Sequence, residues 1–193
     1  LSRKLVQPIH RGRIWRIVPE HWEPEKKVKL STVSNEQLIR YLSNKDGWYR
    51  DMAQRLLVER NDKSVIPQLV ELVAAEGNSL GRFHGLWTLE GMRSLSADIL
   101  LPLLTDDDAL VSATALRLLE PMIATDAAVR KQAEEIMKAR LKTAPMRQVL
   151  QIAFAASVLD EPARHDLLLR IAARYDTSAL IRDAVLSSLA DEE

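Results

Sequence analysis

Apolar positions along the chain follow the spacing of amphipathic helices, and this helical pattern recurs at a nearly constant interval. Five stretches share one skeleton: a mostly polar residue, a small or apolar residue three positions on, and a large apolar residue seven positions on. The stretches are Arg50/Ala53/Leu57, Arg82/Gly85/Leu89, Ser112/Ala115/Leu119, Arg147/Leu150/Phe154 and Arg182/Val185/Leu189. Their first positions are 32, 30, 35 and 35 residues apart. A repeat of this length predicts a helical solenoid, in which each helix pair buries its apolar face against the next pair.

Turn and capping signals divide the repeats into five predicted helix pairs. Ser34 and Gln37 form a capping box at the start of the first helix. The predicted pairs are 35–44 with 47–60, 64–75 with 79–92, 96–105 with 107–123, 126–141 with 145–159, and 162–175 with 177–190. The signature residues of tetratricopeptide and ankyrin repeats are missing, so the expected fold is an all-α, right-handed α-α superhelix of HEAT-like repeats.

The first 33 residues differ in pattern from the repeats. Residues 12–18 alternate in the manner of a short β-strand, but no second strand-like run follows. A strand without a partner leaves its backbone groups unpaired. We therefore expect residues 1–33 to be the remnant of an upstream β-domain with a polar linker, and residues 34–193 to be the helical repeat domain. Since the chain begins at Leu1, we expect it to be a piece of a longer protein.

Composition narrows the classes of function. Lys plus Arg equals Asp plus Glu at 27 each, but residues 1–30 hold eight basic and three acidic residues, which leaves the repeats mildly acidic. A nucleic-acid binder is expected to present a basic face. The chain has no cysteine, which excludes disulfides, thiolate metal sites and a cysteine nucleophile within it. No apolar run is long enough to span a membrane, and no signal peptide is visible.

Residues 80–91 are the segment richest in candidate chemistry. A broad apolar arc and a flank of small residues predict a helix that faces the core and is closely approached by a neighbour. The arc comprises Leu80, Phe83, Leu86, Trp87 and Leu89, and the flank comprises Gly81, Gly85 and Thr88. His84 lies at the edge of the arc with no second His nearby, so we expect a hydrogen-bonded structural histidine.

Glu90 falls inside the same arc, near a predicted helix end where negative charge is disfavoured. Glu120 is its counterpart 30 residues later. A buried carboxylate needs a partner, and the candidates are Arg55, Arg82, Arg117 and the amino end of a neighbouring helix, so we expect a structural bridge between repeats. A carboxylate in a binding groove is the alternative.

Arginines recur at the first position of the skeleton, and these side chains could stack along one face as a ladder. We expect such a ladder to pair with carbonyls and carboxylates of adjacent repeats; an anion-binding stripe is the alternative. The four are Arg50, Arg82, Arg147 and Arg182. Trp48 opens the second helix and is expected to pack on the upstream linker or domain instead of in the solenoid core.

Catalytic motifs are scarce. His165-Asp166 resembles half of a metal-binding HD motif, but no companion pair is present. No His-Glu pair, glycine-rich phosphate loop or nucleophile elbow occurs. We therefore expect no catalytic, cofactor-binding or metal-binding residue in this chain.

Three segments, residues 12–18, 47–60 and 80–92, together resemble the PVC-type haem-binding CxxCH proteins, also described as membrane-bound dehydrogenases. Trp48, Arg50, Asp51, Arg55, Arg82, His84, Trp87 and Glu90 belong to the matching segments. The resemblance implies an exported, periplasmic or cell-envelope protein with an amino-terminal β-propeller, a HEAT-repeat region and a carboxy-terminal cytochrome c domain. It implies haem c and a quinone cofactor in the other domains and none in this chain, which has neither a CxxCH motif nor a propeller body.

The expected function is that of a non-catalytic scaffold or protein-interaction domain within such a redox protein. Its partners would be another protein or neighbouring domains of its own parent chain. A general protein–protein adaptor unrelated to redox chemistry is the alternative. A HEAT-like nucleic-acid enzyme is a third possibility, which the mildly acidic repeats disfavour.

Overall fold

All regular structure in the described part of the chain is helical. The computed structural model describes residues 17–21, 23 and 28–189. Its α-helices are α1 Asn35–Tyr41, α2 Gly47–Arg60, α3 Ile66–Ala74, α4 Ser79–Gly91, α5 Ala97–Leu100, α6 Ala109–Thr125, α7 Ala127–Arg140, α8 Met146–Ala155, α9 Glu161–Arg174 and α10 Ala179–Ser187. Short 3-10 helices lie at Leu30–Thr32, Lys63–Val65, Pro102–Thr105 and Ala156–Val158. The predicted all-α class is confirmed, and each predicted helix is present.

Residues 12–16 of the β-strand predicted for residues 12–18 lie outside the described residues. Ile17 and Val18 are described; neither belongs to a strand, and both are exposed.

Capping side chains fix where the helices begin. The Ser34 hydroxyl accepts a hydrogen bond from the Gln37 backbone N–H at 3.3 Å, and the Gln37 side-chain oxygen accepts from the Ser34 N–H at 3.2 Å. This is the capping box expected from the sequence. Asp46 and Asp108 cap α2 and α6, where the side-chain carboxylate of each accepts a hydrogen bond from the backbone N–H two residues on. These bonds satisfy N–H groups that the first turn of a helix leaves without partners.

The second helices of successive pairs form one continuous layer. α2 packs on α4, α4 on α6, α6 on α8, and α8 on α10. Leu57, Leu89 and Leu119 are fully buried in this layer, as the third position of the repeat skeleton predicts. The fourth pair departs from the predicted pattern, because α7 packs chiefly against α6 and the 3-10 helix Pro102–Thr105.

The repeat skeleton shifts by one residue in α8. Arg147 and Phe154, predicted to occupy skeleton positions, are exposed, whereas Gln148 is buried. One residue corresponds to a rotation of about 100° around a helix. Gln148 therefore takes the inward position, where its side-chain amide donates to the Leu104 carbonyl at 2.8 Å.

The prediction that four arginines stack as a ladder along one face is consequently wrong. Arg50 and Arg82 point inward and donate to backbone carbonyls, but Arg147 and Arg182 are exposed. No stripe of four aligned guanidinium groups forms along the described helices.

Candidate interaction groove between α2 and α4

A surface groove of about 380 Å³ runs along the junction of α2 and α4. It is lined by Asp51, Gln54, Arg55, Val58 and Glu59 of α2 and by Trp87, Glu90 and Gly91 of α4. Three residues singled out from the sequence therefore meet here: Arg55, Trp87 and Glu90. Because α2 and α4 are adjacent second helices, the groove belongs to the continuous layer that joins all five pairs.

The orientation of α4 opens this groove. Leu86 and Leu89 are fully buried, but Leu80 is 46% exposed and Phe83 and Trp87 are only partly buried. The expectation that the whole apolar arc faces the core is therefore wrong.

The small-residue flank of α4 packs inward instead, as its predicted close packing requires. Gly81, Gly85 and Thr88 are all buried. A Cβ placed on Gly85 would lie 2.8 Å from Cγ1 of Val73 in α3, so the absence of a side chain is what allows the two helices to approach. This close packing turns one edge of the apolar arc outward.

Glu90 is exposed, so the predicted buried bridge at this position is wrong. It lies on the outward side of α4, next to Gly91. A Cβ on Gly91 would lie 2.7 Å from Cγ2 of Val58, which closes α4 against α2 at that end of the groove. Glu90 thus lies in the lining of a groove, which is the placement given above as the alternative to a buried bridge.

Glu120 does form the bridge between repeats that the sequence predicts, although with another partner. Its carboxylate accepts a hydrogen bond from the Gln151 side-chain amide of α8 at 2.5 Å. Burial raises the pKa of Glu120 above its usual value, while the positive charge of Arg117 and the Gln151 hydrogen bond act in the opposite direction.

His84 is buried beneath the groove and has a partner on each ring nitrogen. Arg50 Nε donates to His84 Nε2 at 3.3 Å, and His84 Nδ1 lies 2.7 Å from the Gln54 side-chain oxygen. Since a guanidinium can only donate, Nε2 must accept and the ring proton must sit on Nδ1. Burial, followed by the nearby Arg50 charge, lowers the pKa of His84. The predicted hydrogen-bonded histidine is confirmed, and it holds Gln54 at the groove wall.

Trp87 contributes an aromatic surface with an unsatisfied polar atom. Its ring packs edge-on to Phe83, with the centroids 6.3 Å apart. The indole N–H is buried and has no hydrogen-bond acceptor among the described residues. Such a group costs about 1–3 kcal/mol, so Trp87 is not the simple core filler expected from the sequence.

Arg82 joins the second pair to the third. Its side chain is 4% exposed, and it forms a bidentate ion pair with Asp106 while Nε donates to the Val73 carbonyl at 3.0 Å. The guanidinium is thus committed to structure and lies away from the open groove wall.

The remaining two candidate residues are exposed. Trp48 is 56% exposed and packs edge-on to Tyr49 at 5.1 Å; it does not enter the core. Arg55 pairs with Glu59 at 2.6 Å, one turn further along α2.

Asp51, Gln54 and Glu59 were not identified as site residues from the sequence. A signal was available, because Asp51, Arg55 and Glu59 recur every four residues and so share one face of α2. Gly91 carried no such signal, since its role depends on contact with Val58 of another helix.

A second groove, of about 390 Å³, lies between the first helices α7 and α9 and has the opposite charge. Its lining includes Lys138, Lys142, Arg170 and Arg174. Asp166, part of the His165-Asp166 sequence, pairs with Arg170 at 2.9 Å and with Lys138 at 3.6 Å.

Within the described ranges, no group of three or more His, Asp or Glu side chains is arranged to hold a metal ion. The helices described there are each too short or too polar to cross a bilayer. In comparisons with protein-family models, curated proteins and solved structures, no match to this chain was found.

Proposed function

We propose that this chain is a helical-repeat scaffold that docks protein on the layer formed by its second helices. The observation that carries the proposal is the outward stripe on α4, where Leu80, Phe83, Trp87 and Glu90 follow one another beside the groove. Neighbouring apolar side chains that a solenoid leaves uncovered are typical of contact surfaces. Helical solenoids also offer extended surfaces for such contacts.

The scaffold role has no catalytic step. The buried titratable group nearest the groove, His84, is held in one tautomer by Arg50 and Gln54. Arg82 is likewise committed to Asp106. His84 supports the wall of the groove through Gln54, and the exposed carboxylates of Asp51 and Glu90 lie in the groove lining.

A finer form of the proposal rests on the resemblance of residues 12–18, 47–60 and 80–92 to PVC-type haem-binding proteins. In that form the scaffold belongs to an exported cell-envelope protein and holds a propeller and a cytochrome module at a fixed separation. Haem c and a quinone cofactor would belong to those other domains. A general adaptor is the alternative, and the haem content of the bound partner separates the two.

The absence of cysteine makes a direct test possible, because a single introduced cysteine can be labelled without side reactions. An Arg55→Cys variant carrying a polyethylene glycol maleimide would block the groove. A Gln132→Cys variant with the same label, on the exposed side of α7, is the matched control. Both would be used as bait in an envelope extract from the source cell, with eluates scanned for haem absorbance and identified by mass.

We expect the control bait to retain a protein that the groove-blocked bait loses. Haem in that protein would favour the redox form of the proposal, and its absence would favour the general adaptor. Equal capture by both baits would contradict docking at the groove. An empty eluate from folded, unlabelled bait would contradict recruitment of a separate protein and leave contact with domains of the parent chain.

A further inference from the structure

We infer that the α2/α4 groove binds a basic segment of a partner protein, whose lysine or arginine side chains pair with Asp51 and Glu90 and lie against Trp87. This inference rests on the proposed docking function and specifies the chemistry of the partner. It depends on the charge, the aromatic surface and the rigidity of the groove.

The groove carries an excess of negative charge. Asp51, Glu59 and Glu90 are exposed carboxylates at its lining, and Arg55 is the one basic residue among them. Arg55 is already paired with Glu59 at 2.6 Å. Asp51 and Glu90 form no ion pair with any other described residue. Two carboxylates on opposite walls are thus available to a cation.

The aromatic residue of the groove suits the same ligand. The Trp87 ring lines the space between the helices, and among the aromatic side chains a tryptophan face attracts an ammonium or guanidinium group most strongly. The aliphatic stem of a lysine or arginine can cover apolar surface while its charged end reaches the carboxylates. The exposed Leu80 and the partly buried Phe83 extend this surface along α4.

The walls are fixed before a ligand arrives. Gln54 is held by His84 at 2.7 Å, and His84 is in turn held by Arg50. At the other end the absence of a side chain on Gly91 lets α4 lie against Val58. A rigid site loses little conformational entropy on binding, which favours affinity.

The α7/α9 groove has similar volume but is lined by four basic residues. Lys138 and Arg170 are paired with Asp166, so Lys142 and Arg174 are the charges that would disfavour a basic segment there and favour an acidic one. Charge therefore distinguishes the two grooves. The inference holds if the peptide that binds near Trp87 carries a positive net charge, and fails if it carries a negative one.

The test is isothermal titration of the intact chain with a short peptide of lysine, arginine and alanine, with an acidic peptide of equal length as comparison. The doubly neutral variant Asp51→Asn/Glu90→Gln keeps the size of both side chains. Glu71→Gln/Glu135→Gln removes two exposed carboxylates from the first helices α3 and α7 and is the matched control. Thermal melts of all three proteins would establish that each is folded.

We expect the basic peptide to bind the wild type and the control equally, and the Asp51→Asn/Glu90→Gln variant about fivefold more weakly, since each exposed charge pair contributes a few tenths to 1 kcal/mol. Binding should also weaken as salt rises. Equal affinity for wild type and groove variant, or preference for the acidic peptide, would overturn the inference. If the label at position 55 still abolishes protein capture in that case, docking at the groove stands and only the basic chemistry of the partner is wrong.

Discussion

Buried polar side chains join neighbouring helix pairs at specific residues. Arg82 of α4 binds Asp106 ahead of α6, Gln148 of α8 donates to the Leu104 carbonyl, and the Ser188 hydroxyl donates to the Ala153 carbonyl at 2.8 Å. Each of these contacts spans two pairs. Because a buried polar group without a hydrogen-bond partner is costly, these contacts fix the position of each helix pair relative to the next.

Arg82 provides the sharpest stability prediction at the residue scale. Arg82→Ala removes a buried guanidinium, which leaves Asp106 without its ion-pair partner and the Val73 carbonyl without the Arg82 donor, so we expect a loss of about 3 kcal/mol in the free energy of unfolding. Arg147→Ala, at the same predicted position of a later repeat but exposed, should change it by less than about 0.5 kcal/mol. Urea denaturation at neutral pH measures both. Coincident midpoints for the two variants would contradict the burial of Arg82.

His84 predicts a dependence of stability on pH. Its pKa is lowered from the ordinary value of 6.5, so the unfolded chain takes up the proton before the folded chain does. The free energy contributed by neutral His84 is therefore fully present above about pH 6.5 and is lost as the pH falls through the lower pKa of the folded state. Between about pH 7 and about pH 5, the wild type should lose more stability than His84→Gln. Parallel pH profiles for the two proteins would exclude this role.

At the scale of the element, α4 decides the character of the groove. Its buried face combines two leucines with small and polar residues, while part of its apolar arc is turned outward. The buried residues are Gly81, Arg82, His84, Gly85, Leu86, Thr88 and Leu89. The inward face follows from how closely α3 and α2 approach, as at Gly85 and Gly91.

Two glycines allow this packing to be tested. Gly85→Ala places a methyl group 2.8 Å from the Val73 side chain, and we expect it to destabilise the protein by about 1–2 kcal/mol through overpacking. Gly47→Ala, where the nearest atom is 3.4 Å away, should instead be neutral or stabilise by up to about 1 kcal/mol through helix propensity. The melting temperature of Gly85→Ala should therefore fall below that of the wild type, and the melting temperature of Gly47→Ala should not. Stabilisation by Gly85→Ala would show that α3 and α4 are less tightly packed.

Helix positions were predictable from the sequence because their signals are local. Capping residues such as Ser34 and Asp108 act on backbone groups two or three residues away, and the apolar period fixes each helix between them. The rotation of a helix about its axis was less predictable. Gln148 replaced Arg147 as the inward residue of α8, and Glu90 turned outward from α4. Both depend on contacts with other helices, which the period of one segment does not contain.

At the scale of the whole molecule, a neutral chain separates its charges between two surfaces. The second-helix groove between α2 and α4 is acidic in its lining, and the first-helix groove between α7 and α9 is basic. The continuous packing from α2 to α10 makes these surfaces parts of one layered structure. A partner that is attracted to one groove is therefore steered away from the other.

The most direct test of this account is to map, by nuclear magnetic resonance, where a partner surface contacts the chain. Amide shifts of the isotopically labelled protein would be followed during titration with the basic peptide. The account predicts that the largest shifts cluster in α2 and α4, at Gly47–Arg60 and Ser79–Gly91, and include the indole N–H of Trp87. Largest shifts in α7 and α9, or no shifts at all, would contradict the claim that the second-helix groove is the recognition surface.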